Sequence, residues 1–590
     1  MHDLTAEAQR YGVEPGYHDV FGGWHALSEA TLNRLISAMA RGGHTAVTPS
    51  NTKETEHRQA FQGDGRPHWA MAVQLYAVRS RHNWGHGDFT DLKRLVALAA
   101  QSGAAAVGLN PLHALFPDRP EQASPYGPNS RIFFNPLYID VEAIPEFPGI
   151  AEAGLEANVA AARQPELVDY THAGLAKLLG LRLAYDRFCA KATPERRADF
   201  DAFRREQGEP LLHFACFECL RQIHAPLPWP QWPEPWHQPD SKNLHAFRRE
   251  HLAECEFQEF MQWTADRQLG DCQATAKRLG MAIGLYIDIA VGIDPNGADA
   301  WSQQDAVLAG ISVGAPPDEF NPAGQDWGLA PINPSTIAQN DFAPMRLLMR
   351  AAMRHAGAIR LDHVLGLNRI FMIPHGMSAA EGAYVRYPFE QVLAVIAEES
   401  NRAHCIVIGE DLGTVPEGFR ETLSHWGLWS YRVMLFERDH QGRFLPPENY
   451  PINALATFNT HDLPTHRGWL TGHDLRVKRG IGVDPGENDE SRAWAQQKLR
   501  EALQERASNY GAEDFATVAA YLAATPSLLV CVALDDILDV LDQINIPGTV
   551  EQHPNWRHKL PVALEDMDGN EELRRVAQAF AQAGRGIART

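Results

Sequence analysis

The stretch AIRLDHVLGL, residues 358–367, begins and ends like a buried β-strand, yet carries Arg360, Asp362 and His363 at its centre. Burying an unpaired charge is costly, so such a strand is either an exposed edge or opens onto a site that uses those groups. Its neighbours along the chain decide between the two. Seven further apolar runs of strand length recur: MAVQLYAV (71–78), AAVGLNPL (105–112), AIGLYIDIA (282–290), CIVIGEDLG (405–413), YRVMLFE (431–437), LATFNTHDLP (455–464) and LLVCVALDD (528–536). Helical patterns separate many of them, such as DFTDLKRLVALAAQSG after the first and FMQWTADRQLGDCQATAKRLG before the third. Eight strands apolar on both faces and alternating with helices predict a parallel sheet closed as a (β/α)8 TIM barrel, an α/β fold.

The remaining chain is read as additions to that barrel. The distance between the second and third runs far exceeds one crossover helix, which predicts a helical insertion at about 113–281. It contains PLPWPQWPEPWH (226–237), whose tryptophans suit a rigid packing strap better than a stacking platform for sugars or bases. SEATLNRLISAMA (28–40) reads as an amphipathic helix capped by Ser28, with Leu32, Leu35, Ile36 and Met39 on one face. A polar stretch follows, so residues 1–41 are expected to form an N-terminal helical segment, 42–68 a linker and 69–590 the catalytic barrel.

Composition narrows the function. With 44% hydrophobic and 22% charged residues the chain has the makeup of a globular protein, and 53 basic against 74 acidic residues give a net charge of −21. That excess of carboxylates repels phosphate backbones and argues against nucleic acid as a partner. The start, MHDLTAEAQRYG, has no secretory pattern, and the most apolar stretch, AAYLAATPSLLVCVAL (519–534), is short and broken by Pro526, so no membrane partner is expected. Seven scattered cysteines fit reduced thiols and a cytoplasmic location. Cys216 and Cys219, in HFACFECL, have redox or zinc spacing, but on a helix they would share one apolar face and read as structural.

In a TIM barrel the active site forms at the C-terminal ends of the strands. Three runs place carboxylates there: Asp362 in IRLDHV, Glu410 in VIGEDLG and Asp462 in NTHDLP. Residues two apart on a strand share a face, so Arg360 should project with Asp362, keep it ionised and fix its rotamer, as a nucleophile requires. Glu410 and Asp411 alternate, so one of them faces inward, and His461 supplies a donor beside Asp462. Glycoside chemistry uses such a set: one carboxylate attacks the anomeric carbon and a protonated second, roughly 5–5.5 Å away in retaining enzymes, serves the leaving oxygen. A metallohydrolase would also use Asp and His, but no HxH or HExxH pair and no Asp-rich calcium loop is present, so neither metal nor cofactor is expected.

Several longer motifs carry a resemblance. SPYGPNSRIFFNPLYID (124–140), LYIDIAVG (285–292), SVGAPPDEFNPAGQDWGL (312–329), IRLDHVLG, VIGEDLGTVP (407–416), FNTHDLPT (458–465) and NIPGTVEQHPNWRHKL (545–560) together resemble the 4-α-glucanotransferases, or amylomaltases, of glycoside hydrolase family 77. The likeness runs in order from about residue 69 to 560. It implies Asp362 as nucleophile, Glu410 as general acid/base and Asp462 as transition-state stabiliser, with Arg360, His363 and His461 as donors around the sugar. It also implies that Tyr126, with Ser124 beside it, packs against the reacting sugar, that Asp288 lies near the donor sugar, and that Gln325 and Trp327 belong to a loop folding over the glucan. The implied activity is transfer of α-1,4-glucan segments between maltooligosaccharides. An α-amylase-type hydrolase and an inactive glucan-binding barrel are the alternatives. Ala330, Gly127, Asn129, Tyr286 and Ile287 depart from the family pattern without touching the three carboxylates. The N-terminus is similar to that of the longer bacterial members, with the polar stretch where those carry β-rich modules.

Overall fold

The computed structural model describes residues 4–18, 22–40, 58–317, 323–506 and 514–586. Eight parallel strands close into a barrel in chain order. They are β1 (His68–Val73), β2 (Ala106–Leu109), β3 (Gly284–Ile289), β4 (Ala358–Leu361), β5 (Ile406–Gly409), β6 (Trp429–Val433), β7 (Ala454–Thr457) and β8 (Leu529–Ala533). β8 returns to β1, with Val530 beside Trp69 and Cys531 beside Ala70. Each expected apolar run overlaps one barrel strand. Three strands open earlier than their runs, β1 at His68, β6 at Trp429 and β7 at Ala454; after β1 the run continues through a 3₁₀ turn, Leu75–Ala77, that is itself buried. Apolar character reports burial, and a buried turn reads the same as a buried strand.

Inside the barrel, a side chain at Gly108 on β2 would meet the Tyr286 ring at 2.8 Å, so glycine is what lets that tyrosine lie across the interior. The bottom is closed by the C-terminal helix Glu571–Gln582, whose Phe580 stacks on Trp69 at 4.7 Å. Just beyond it, the buried Arg585 donates to the carbonyls of His68, Ala523, Thr525 and Ser527.

The segment between β2 and β3 is largely helical, with long helices Tyr170–Lys191, Pro194–Ile223 and Leu252–Arg278. It also carries a short antiparallel pair, His113–Ala114 with Ser130–Phe134, which the helical reading did not include. The Trp-Pro stretch serves packing: Trp232 is buried and Trp229 donates its indole N–H to the Pro295 carbonyl over 3.0 Å.

The helix Glu29–Met39 has its Ser28 cap, whose Oγ accepts the Thr31 N–H over 3.1 Å, and it buries Leu32, Leu35 and Met39. Its apolar face covers a four-stranded antiparallel sheet, ordered Ala383–Arg386, Arg369–Pro374, Ile311–Ala315 and Gln325–Leu329, built from the loops that follow β3 and β4. Two short strands, Gly16–His18 and Trp24–Ala26, accompany the helices of the N-terminal segment. The stretch read as a polar linker, 42–68, lies mostly outside the described residues. From Arg58 onward the chain lies against the barrel bottom, where the Ala60 N–H donates to the Trp426 carbonyl and the Trp429 indole N–H to Gln62 Oε1. Among the described residues no helix is long and apolar enough to cross a membrane.

Candidate active site

The barrel's hydrogen-bond ladder continues one step past the strands and sets the site. The Asp362 N–H donates to the Ile289 carbonyl, Glu410 to Leu361 and Val364 to Glu410, each over 3.0–3.1 Å. These bonds hold the first residues beyond β4 and β5 at fixed height in the barrel mouth.

Arg360 is the hub. Its Nη1 stands 2.7 Å from both carboxylate oxygens of Asp288 and 3.1 Å from Asp362 Oδ1, while Nη2 reaches to 4.0 Å from Glu410 Oε2. The guanidinium lies over the Tyr431 ring at 5.2 Å. Burial works against its charge, but Asp288 and Asp362 more than compensate and hold its pKa above the ordinary arginine value.

The two carboxylates on either side differ in environment. Burial pushes Asp362 up to about 6; Arg360 restrains that rise and Asp288 adds to it. This corrects the expectation that Arg360 would keep Asp362 at a low pKa, because desolvation by burial outweighs the single cation. Burial pushes Glu410 higher, to about 7, despite Arg360. Glu410 is anchored by two backbone donors, Leu412 N–H on Oε1 at 2.8 Å and His363 N–H on Oε2 at 2.9 Å. His363 reaches it from a left-handed backbone, φ 47°, unusual for a residue with a side chain. Of the adjacent acids, Glu410 faces the mouth. Asp411 is buried behind it, bound by Ser430 Oγ, the Tyr431 N–H and Arg420.

Asp462 is the most open of the three carboxylates, at 46% side-chain exposure against 20% for Asp362 and 11% for Glu410. Burial alone would raise its pKa, but the nearby His461 and a hydrogen bond from Asn545 Nδ2 to Oδ1, 2.5 Å, hold it below the usual carboxylate range. His461 Nε2 is 3.4 Å from Asp462 Oδ2, and this carboxylate raises the imidazole pKa against burial.

Tyr126 arrives from the insertion. Its hydroxyl donates to Asp288 Oδ2 over 2.5 Å, and its ring stacks on His461 at 4.6 Å and leans on Trp556 at 5.4 Å. Ser124 Oγ accepts the Tyr126 N–H over 3.3 Å and so shapes the turn that carries the ring. Trp327, on Gln325–Leu329, meets the His363 ring edge-on at 5.2 Å, and Gln325 Oε1 accepts the Trp327 indole N–H over 3.2 Å. Asp362, Glu410, Asp462, Arg360, Asp288, His363, His461 and Tyr126 thus share one mouth. Ser124 and Gln325 bond to Tyr126 and Trp327 and so support the two rings.

Asn545, Gln543 and Trp556 were missed as site residues. Gln543 Nε2 donates to the Asp462 carbonyl over 2.8 Å, and the Asn545 N–H to that of His461 over 3.2 Å. Asn545 and Trp556 stand in the segment NIPGTVEQHPNWRHKL, but nothing in its pattern shows that it folds back onto Asp462.

Among the described residues one group has atoms close enough to share a metal ion, His82, Asp88 and Asp140, and it includes none of the three carboxylates above. Its charges are already answered by protein groups. Lys177 Nζ lies 3.8 Å from Asp88 Oδ2, and His82 Nε2 lies 2.9 Å from Asp140 Oδ2.

Residues 73–564 match the family described as 4-alpha-glucanotransferase. The chain is 38% identical over 550 residues to a 4-alpha-glucanotransferase of Mycobacterium tuberculosis, covering 88% of this chain and 75% of the relative. It is 36% identical over 552 residues to that of Haemophilus influenzae, covering 88% and 78%. Among solved structures, the amylomaltase from Corynebacterium glutamicum matches with a TM-score of 0.84 at 28% identity, covering 98% of this chain and 99% of that one. An amylomaltase from Streptococcus agalactiae, solved in complex with acarbose, shares the fold at TM-score 0.71 and 19% identity, covering 88% of this chain and 100% of that one.

Proposed function

Because the chain belongs to the 4-alpha-glucanotransferases of glycoside hydrolase family 77, we propose that its barrel mouth moves α-1,4-glucan segments between maltooligosaccharides by a retaining double displacement. The transferase activity comes with the family; the residue roles and the stepwise chemistry are our reading. Residues 69–590 are the catalytic unit, with 1–41 an appended segment. The free cysteines suit a cytoplasmic setting.

Asp362 attacks C1 of the donor sugar while Glu410 gives its proton to the departing 4-oxygen. The bond from C1 to the leaving oxygen breaks, and a glucosyl ester forms on Asp362. Glu410, now a carboxylate, takes the proton of an acceptor 4-hydroxyl, whose oxygen attacks C1 and frees Asp362. Asp462, ionised and paired with His461, faces the positive charge that builds on the sugar ring between the two states.

The observation that carries this reading is the ordering of the three acids around Arg360. Glu410 has the highest pKa, as a proton donor needs; Asp362 lies below it, and Asp462 is held ionised. Tyr126 stacked on His461 offers an aromatic face beside the reacting sugar, with Asp288 near its hydroxyls. Trp327, against His363, suits a loop that excludes water so that a sugar rather than water is the acceptor.

The test is incubation with maltotriose alone, resolving products by length while counting reducing ends. A ladder of longer oligosaccharides plus glucose at constant reducing ends is expected. A rise in reducing ends with shorter products only would mean a hydrolase, and unchanged maltotriose would mean a different donor or a binding protein.

A further inference from the structure

Three of the chain's seven cysteines meet inside the helical insertion. Cys216 and Cys219 lie on helix Pro194–Ile223 and Cys255 on helix Leu252–Arg278, all buried. Cys219 Sγ and Cys255 Sγ are 3.6 Å apart. A disulfide needs about 2.05 Å, so roughly 1.5 Å of side-chain movement separates this contact from a bond. The two helices that carry the pair are packed against one another. Outside this cluster, Cys272 donates to the Phe89 carbonyl, Cys405 to that of Ile406, and Cys189 is exposed.

We propose that Cys219 and Cys255 are a redox modification site, forming a reversible disulfide between the two long insertion helices when the protein meets a hydroperoxide.

The surroundings divide the roles. Cys255 sits in the first turn of a 27-residue helix, where the free backbone N–H groups favour an anion. Hydrogen bonding with the Cys216 and Cys219 sulfurs, together with Arg248 and His251, outweighs burial and lowers its pKa. Cys219 keeps its proton, its pKa pushed up by the hydrogen bond to Cys255 and by burial. Cys255 is therefore the attacking thiolate and Cys219 the resolving thiol. The Cys255 sulfur attacks the peroxide, an S–O bond forms, the O–O bond breaks and an alkoxide (hydroxide from hydrogen peroxide) leaves. The Cys219 sulfur gives up its proton and attacks the sulfenic sulfur, so that the S–S bond forms and water departs. Two thiols lose two electrons to one hydroperoxide, giving the disulfide, one alcohol or water from the leaving group, and one further water.

The test treats the intact folded protein with hydrogen peroxide, blocks remaining thiols by alkylation under denaturing conditions, and maps the peptides by mass. The expected product is a linked pair of peptides containing Cys219 and Cys255, two hydrogens lighter than their sum, which disappears with dithiothreitol. It should be absent from Cys219→Ser and persist in Cys189→Ser. Recovery of Cys219 and Cys255 as alkylated free thiols, with oxidation confined to Cys189, would overturn the proposal. So would a Cys255 sulfinic acid without the link. The wild-type map alone decides the matter if the serine variant does not fold.

Discussion

Arg360 on β4 and Asp288 on β3 are paired neighbours in the barrel ladder, and Arg360 Nη1 stands 2.7 Å from both oxygens of the Asp288 carboxylate. Both side chains are more than nine-tenths buried. Parallel pairing turns them to the same face, so the barrel itself builds a charge pair in its mouth. Removing one partner of such a pair strands the other. Arg360→Ala should therefore destabilise the protein by about 3–5 kcal/mol as well as abolish activity. Denaturant unfolding measures the first effect. Arg360→Lys should fold better than the alanine variant but stay impaired, because an ammonium cannot reproduce the fork that spans Asp288, Asp362 and Glu410.

Asp362→Ala should lower turnover by about four orders of magnitude or more while leaving far-UV circular dichroism unchanged, since the covalent step has no substitute nucleophile. A variant that kept ordinary activity would sink the role of Asp362.

The pH profile of kcat/KM should be a narrow bell. The proposed first step needs Asp362 ionised and Glu410 protonated. Activity should fall below about 6 as Asp362 takes a proton, and above about 7 as Glu410 loses one. The two acids interact, so the limbs belong to the pair rather than to either residue alone. In Glu410→Gln the alkaline limb should vanish from whatever activity remains.

The same shifts have a stability consequence of opposite sign to the usual carboxylate case. Glu410 rises from 4.5 to about 7 on folding, so ionising it costs more in the native state than in the unfolded chain. Its contribution is unaffected below pH about 4 and turns increasingly unfavourable as pH rises towards about 7. Glu410→Gln removes that cost. The variant's melting temperature should gain on the wild type between pH 4 and pH 8, and no gain would mean that Glu410 is not raised.

Asn545 holds Asp462 through one hydrogen bond to its carboxylate. Hydrogen bonds to charged groups are worth about 1.5–3 kcal/mol, so Asn545→Ala should lower kcat by about ten- to a hundredfold. KM for maltotriose should change less if Asp462 acts mainly in the transition state.

Trp327 touches His363 edge-on, next in sequence to Asp362. If it shields the glucosyl ester, Trp327→Ala should let reducing ends rise severalfold during maltotriose turnover, at the expense of longer products.

The eight barrel strands and the three carboxylates were legible in the sequence because each rests on local chemistry. A run of branched apolar residues must be buried, and an acid at its end must lie near the barrel mouth. The helix Glu29–Met39 was legible for the same reason, its Ser28 cap and apolar face being only a few residues apart. What closure of the chain decided was everything that depends on distant residues sharing a space. Asp288 and Arg360 are 72 positions apart, Asp462 and Asn545 83, and Cys219 and Cys255 36. The pKa of Asp362 follows the same division. Its neighbour Arg360 could be read two places away, but the burial that lifts it to about 6 exists only after the barrel has closed and taken water from the carboxylate.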